Sequence, residues 1–508
     1  MRTTETKERP SALAAATAYR GAGPLPPPDR FAVSSGKMLP LMKRLMGLWR
    51  GEAGGKEVLD LGLPLILSMM SVTLQHFVDR IFLTWWSPEA VAGVTTGGFA
   101  MWVVTGLFNG TAEYATPFVS QYVGAKREER IGAVVYQAAY FAVLAGALGW
   151  LLSFFVPSLF NLVGHAPAIR EHEISYAVII MQGTFPVVLM VAFSTYFAGR
   201  GKTRVVLGVT LAATVLNVFL DWLLIFGNLG APTLGTRGAA YATVASQVFG
   251  ALVYLALILN APARDAHGFK DFRFQPELFA RLLKLGVPSG LQPSLEILGF
   301  TLFMFIIGDL GVAPLAATSI AFNLNGIVFL PAIGLGYGVS TLVARYLGMK
   351  RPALADRAIK SGLVISQIYM IGCSLVYVLA PAFLLAPYAM GADPATFGEV
   401  SRIATVLLRF VAFYSIFDMV NVVCAGGLKG AGDTRFPVTA TVVISWVVML
   451  IPTWWFCVRG SRGVYVAWVF ATLYVVVLGV VMFVRYRKGA WKNLTVIESD
   501  ASPALDLP

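Results

Sequence analysis

The chain runs to 508 residues, of which 57% are hydrophobic and only 13% charged. A soluble domain carries about 25% charged residues, so these figures, with a mean hydropathy of +0.71, describe an integral membrane protein. The net charge of +12 collects in short loops and at the two ends, where it marks topology rather than a nucleic-acid footprint.

Residues 1–56 read as a cytoplasmic N-terminal tail, partly disordered up to about Lys37. The tail is polar, contains the run Pro24–Pro28, and shows no cleavable signal peptide. Twelve apolar segments follow, each long enough for the roughly 20 residues that a bilayer core requires. They are predicted at 58–84, 90–118, 131–157, 174–198, 205–227, 238–260, 284–308, 314–344, 358–386, 401–425, 437–458 and 463–486. Basic residues favour alternate loops: Lys126, Arg127 and Arg130 after segment two, Arg200, Lys202 and Arg204 after four, Lys350, Arg351 and Arg357 after eight. Arg459 and Arg462 run against this trend without reversing it, so both termini are expected in the cytoplasm. Cys373, Cys424 and Cys457 all lie in apolar stretches without metal-ligand or disulfide spacing and read as packing residues.

The chain repeats itself. Leu61-Gly62-Leu63-Pro64 returns as Leu285-Gly286-Val287-Pro288, and Tyr122-Val123-Gly124-Ala125-Lys126 as Tyr346-Leu347-Gly348-Met349-Lys350, both at an offset of 224. Each half holds six spans, an even number, so both enter the membrane with the same orientation. The expected fold is therefore all-α, with twelve transmembrane helices in two parallel six-helix lobes related by a pseudo-two-fold axis along the membrane normal. The domain reading is an N-lobe at 57–261, a cytoplasmic connector at 262–283, a C-lobe at 284–488 and a C-terminal tail at 489–508.

Four carboxylates fall inside these spans, each with a polar residue four positions earlier: Gln75/Asp79, Asn217/Asp221, Gln292/Glu296 and Tyr414/Asp418. The i, i+4 spacing puts both groups on one helix face. An acid at mid-membrane depth costs about 2.5–3.5 kcal/mol on insertion scales, so such residues point to function. Structural alternatives stand beside that reading: an interhelical clamp at Asn217/Asp221, or pairing of Asp79 with Arg80. Carboxylates without fixed counter-cations suit a positive cargo, or a coupling ion such as Na⁺ or H⁺. Glu113 reads as lying near the cytoplasmic interface and joins Gln75, Gln292, Asn323 and Asn325 as a cavity-lining candidate. Pro64 is the proline expected to bend helix one and alter the cavity around Asp79. His76 reads as a packed or interfacial residue, and His165, His172 and His267 as loop residues without signal.

At these residues the chain resembles the multidrug and toxic compound extrusion (MATE) family, and most of all its NorM-type bacterial branch. Pro64 and Asp79 match the family's helix-one proline and aspartate. Pro117, Gln121, Gly124 and Ala125 match its P-x-x-x-Q-x-x-G-A signature, and Asn217 and Asp221 its helix-five pair. Glu296, Tyr414 and Asp418 match the branch's acidic and tyrosine positions, followed by an AGGLKGAGDTR loop. The resemblance implies a V-shaped secondary transporter in the bacterial inner membrane. It would export organic cations and drugs by alternating access, in antiport with Na⁺ or H⁺ and without other cofactors. It also implies an N-lobe cation or proton site at Asp79, Asn217 and Asp221, and a C-lobe cation site, with Na⁺ as one occupant, at Glu296, Tyr414 and Asp418. Expected partners are amphipathic cationic small molecules and lipids, not nucleic acid, and the unit reads as a monomer. A major-facilitator carrier or a lipid-linked oligosaccharide flippase are the rival transport readings. The loop VGAKREER lacks the first family's basic motif, and an acidic interior disfavours the second. Enzyme motifs such as His-Glu-x-x-His and Gly-x-Ser-x-Gly are missing, so no catalytic residue is assigned.

Overall fold

The computed structural model describes residues 49–262, 264–389 and 394–498, with the side chains of 394–396 excluded. All of these fall in one compact unit. The expected tails lie outside the described residues up to 48 and beyond 498.

Among the described residues, eleven helices are long and apolar enough to cross a membrane, and a pair bent by 48° supplies a twelfth span. The first half comprises α1 (Gly55–Trp86), α2 (Pro88–Glu113) continued by α3 (Ala115–Gly124), α4 (Ile131–Ser153), the short α5 (Val156–Val163), the bent pair α6 (Pro167–Gln182) and α7 (Thr184–Gly199), α8 (Thr203–Phe226) and α9 (Thr236–Leu259). The second comprises α10 (Pro276–Gly308), α11 (Val312–Gly348), α12 (Pro352–Leu379), the short α13 (Pro381–Ala389), α14 (Pro394–Ala431), α15 (Arg435–Ile444), α16 (Ile451–Thr453) and α17 (Val464–Lys488). α15 and α16 lie in one span in which π-helical turns precede and follow Ile451–Thr453. The twelve predicted segments are all present, and α1 stays one helix through Pro64.

The sidedness of these helices inverts that of a soluble protein. On α1, Leu63, Leu67, Met70, Leu74 and Phe77 form an exposed apolar stripe suited to lipid, while Ser68, Ser71, Gln75 and Asp79 are buried on the other face. On α8, Leu211, Val215, Phe219 and Trp222 face outward, and Thr214, Asn217 and Asp221 are buried. The two helices pack together, so their polar stripes meet. In the second half α14 is the central helix, packed on α11, α12 and α17.

The halves join where α10 packs on α2, and α11 on α1 and α3. These contacts obey the repeat offset. A Cβ placed on Gly62 would sit 3.3 Å from Leu335, and one on its counterpart Gly286 would sit 2.8 Å from the Thr111 carbonyl. Gly110 would meet Gly290 Cα at 2.6 Å, and Gly334 would meet Ile66 Cα at 3.0 Å. Gly124 has no room because of the Arg345 carbonyl, and Gly348 none because of the Gln121 carbonyl. Each partner lies 224 residues from the equivalent partner in the other half, as a pseudo-two-fold requires. Glycine is demanded here by backbone-to-backbone approach. The closest of these contacts lie toward the face where the described chain begins and ends, called here the terminal face.

Part of the expected connector folds onto the first half. Phe269 is buried among α4 and α7 residues. His267 is buried too, bonded through Nδ1 to the Tyr196 hydroxyl at 2.9 Å and through Nε2 to Glu128 at 2.9 Å. Burial and the nearby Arg200 pull its pKa below the ordinary histidine value against the opposing pull of Glu128. The other loop histidines are also engaged: His165 reaches Glu173 at 2.8 Å, and His172 bonds Thr236 at 2.9 Å. Of these three, His172 lies within α6 rather than in a loop.

Candidate functional site

The first-half centre is built by α1 and α8. Asp79 is 5% exposed, and Asn217 and Asp221 are 0% exposed. The Asn217 amide, oriented with its nitrogen toward the acids, donates to Asp79 Oδ1 at 3.0 Å and Asp221 Oδ2 at 3.1 Å, while its oxygen accepts from the Thr243 backbone N–H at 3.3 Å. One amide nitrogen therefore ties two buried carboxylates, whose bonded oxygens lie no more than about 6 Å apart. Two charges at that separation repel by roughly 3 kcal/mol at an effective dielectric of 20. The pair is thus short of positive charge, and a cation or proton entering between them relieves the repulsion. Arg80 is exposed and makes no ion pair with Asp79; its guanidinium lies 5.9 Å from the Phe99 ring centroid. His76, half exposed, lies beside the pair, with Nδ1 3.8 Å from Asp79 Oδ2. Tyr176 of α6 stands within electrostatic reach of both aspartates and, with Thr243, completes the surroundings. Neither was singled out from sequence.

The second-half centre is more open. Glu296 of α10 and Asp418 of α14 are half-buried and close enough for their charges to interact. Asn421 donates weakly to Asp418 at 3.5 Å. Tyr414 is 4% exposed and stacks on Trp468 with ring centroids 6.4 Å apart. Tyr474 of α17 also lies within reach of both acids. Gln292 is buried, but it bonds Thr441 at 3.4 Å rather than pairing with Glu296. Asn323 bonds back to the Ser319 carbonyl of its own helix at 2.9 Å, and Asn325, two residues further along α11, is half-buried. Gln75 is buried one turn before Asp79. Among the described residues no group of three or more His, Cys, Asp or Glu could hold a metal ion.

One expectation is overturned. The acids were read as lacking a fixed counter-cation because Lys429 was assigned to a loop. In fact α14 continues to Ala431 and ends at Gly432, whose φ is 107°. Lys429 therefore rides on the helix, within electrostatic reach of both Glu113 and Glu296, and its Nζ is 3.5 Å from the Ser289 carbonyl. Glu113 is placed differently as well: it closes α2 and stands near Tyr337 of α11, across the junction of the halves. Gly432, rather than the end expected at 425, closes α14.

Comparison with known proteins agrees with this architecture. A family profile described as MatE matches residues 64–223 and 288–455, one stretch in each half. The chain belongs to the MatE family, whose members are ion-coupled multidrug efflux transporters rather than enzymes. It is 24% identical over 445 residues to a probable multidrug resistance protein NorM of Thermotoga maritima, a match covering 87% of this chain and 94% of that one. It is 28% identical over 404 residues to a protein of the same description from Bacillus cereus, covering 78% and 87%. The fold also matches a solved outward-facing multidrug resistance MATE family transporter with a TM-score of 0.76 at 20% identity, covering 88% of this chain and 98% of that one.

Proposed function

We propose that this protein exports cationic, amphipathic small molecules from the cytoplasm in exchange for inward-moving Na⁺ or H⁺. It works by alternating access between two lobes, 57–261 and 284–488, arranged as a V in a bacterial inner membrane. The observation that carries the proposal is one charge-deficient acidic centre per half: Asp79–Asn217–Asp221, and Glu296 with Asp418 and Tyr414. Membrane-buried acids are costly, and two such centres on opposite sides of a pseudo-two-fold suit a carrier in which ion and cargo compete for negative charge. Lys429 offsets part of that charge beside Glu113 and Glu296, leaving the second centre a weaker attractor for cations than three acids alone would be. The basic loops support a cytoplasmic orientation of the terminal face.

The decisive measurement is efflux of a fluorescent organic cation from proteoliposomes, with Na⁺ and pH gradients imposed separately. Efflux driven by one gradient and lost in Asp418→Asn and Asp221→Asn supports the assignment. Full gradient-driven efflux in both variants refutes it.

A further inference from the structure

Two segments cross from one half to the other on the terminal face, and both end on the same kind of grip. The grip comes from the repeated sequence Tyr-x-Gly-x-Lys-Arg. In each copy the helix closes with a lysine of positive φ, 58° at Lys126 and 57° at Lys350. The next residue's N–H reaches back to the tyrosine carbonyl, Arg127 to Tyr122 and Arg351 to Tyr346, both at 2.9 Å. This helix-ending turn folds the arginine back beside the tyrosine of the preceding turn. A phenol and a guanidinium then point to one side and form a carboxylate receptor.

The first receptor holds one acid and the second holds two, each from a segment that enters from the opposite half. After α17 the chain turns at Gly489, buries Trp491 and crosses to the first half, where Val496 is 0% exposed and donates its N–H to Gln121 at 3.0 Å. Glu498 then accepts from the Tyr122 hydroxyl at 2.7 Å, Arg127 at 2.7 Å and Arg281 at 3.2 Å, with Arg130 at 3.4 Å. On the other side, the residues leading into α1 cross to the second half. Tyr346 donates to Glu57 at 2.8 Å and accepts from the Ala53 N–H at 3.0 Å. Arg351 binds both oxygens of Glu52 at 2.8 and 3.1 Å, and Ser361 donates to the Ala53 carbonyl at 3.0 Å.

We propose that these two straps are a paired latch that holds the terminal face closed, so that Tyr122/Arg127 and Tyr346/Arg351 are positioning residues of the transport cycle. The proposal rests on the alternating-access reading above. Opening that face must separate α1 from α11 and α2 from α10. The carboxylate of the first strap is held by Tyr122, Arg127 and Arg130 of the first half and also by Arg281 of α10, and those of the second strap by Tyr346 and Arg351 of the second half, so each strap ties the two halves together and both must let go before the halves part. The latch is two-part because the fold is two-part: the repeat supplies two receptors, and the segments before α1 and after α17 supply the acids.

Hydrogen exchange on the full-length protein in lipid nanodiscs tests this. Glu498→Gln and Tyr346→Phe, each breaking one grip, are expected to raise exchange roughly tenfold both in their own strap (489–498 or 50–57) and at the junction of the halves (106–113 and 286–294). Arg351→Glu should do the same, and Glu52→Arg combined with Arg351→Glu should return both regions toward the wild type. Faster exchange confined to the straps, with the junction as protected as in the wild type, overturns the proposal, and so does unchanged exchange throughout. Failure of the wild type to move any organic cation in proteoliposomes would count against the exporter reading and leave the exchange result standing.

Discussion

The junction between the halves makes a sharp prediction at Gly110. An added methyl there would lie 2.6 Å from Gly290 Cα, whereas carbon atoms rest at about 3.5–4.0 Å. α2 and α10 would have to part by roughly 1 Å, and overpacking of this kind costs about 1–3 kcal/mol. That cost falls only on the state in which the helices touch. Gly110→Ala should therefore shift the balance between closed and open terminal face by about 5–150-fold toward open. Gly208→Ala is the matched control, because Gly208 is an exposed helical glycine with nothing within 4 Å of the added carbon; it should raise stability by about 0.5–1 kcal/mol. The assay is exchange protection of 106–113 and 286–294 in nanodiscs, read beside efflux rate and melting temperature. Equal protection and equal efflux in the two variants would refute the argument that this contact closes the face.

Further outcomes follow from other residues. Asn217→Ala removes the only amide nitrogen shared by Asp79 and Asp221; loss of two hydrogen bonds to charged groups, about 1.5–3 kcal/mol each, should abolish gradient-driven efflux while the folded protein still reaches the membrane, checked by transport and gel filtration. Lys429→Met leaves Glu113 and Glu296 without their nearby cation and should lower the melting temperature, with much of it regained in Lys429→Met/Glu113→Gln. For Glu498, burial raises the pKa, but the Tyr122 hydrogen bond, a backbone contact and the charges of Arg130 and Arg127 outweigh it and hold the carboxyl below the ordinary glutamate value. A depressed carboxylate keeps its contribution above the unperturbed pKa and loses it as pH falls through the lowered one. The protection factor of 489–498, after correction for the intrinsic pH dependence of amide exchange, should thus stay constant from pH 6 to 8, and a change in it across that range would contradict the assignment of charge. His267 has the opposite charge type: its lowered pKa means that unfolding takes up a proton below about 6.5. Acidification from pH 7 to 5 should accordingly lower the melting temperature more in the wild type than in His267→Gln.

Much of the candidate site was legible because the membrane makes polarity informative. Asp79, Asn217, Asp221, Glu296 and Asp418 stand out against apolar surroundings, and their i, i+4 partners reveal which helix face turns inward. Spacing along one helix cannot say which neighbour a side chain chooses. Gln292 left Glu296 for Thr441, and Arg80 lay over Phe99 instead of pairing with Asp79. Lys429 was missed because two glycines resemble a helix end, although α14 runs on through them to make room for α11 and α12.

By itself, the order of residues determined the membrane class, the twelve spans, the two-fold repeat and the acids that matter, since hydropathy and periodicity are local properties of the chain. Only the tertiary structure decided that one asparagine bridges two aspartates, that Lys429 sits near two acids, and that the segments before α1 and after α17 strap across to opposite halves. Those contacts join residues as far apart as Tyr122 and Glu498. Which distant groups meet depends on how helices pack in three dimensions, and helix packing at this junction depends on glycines whose missing side chains carry no pattern of their own.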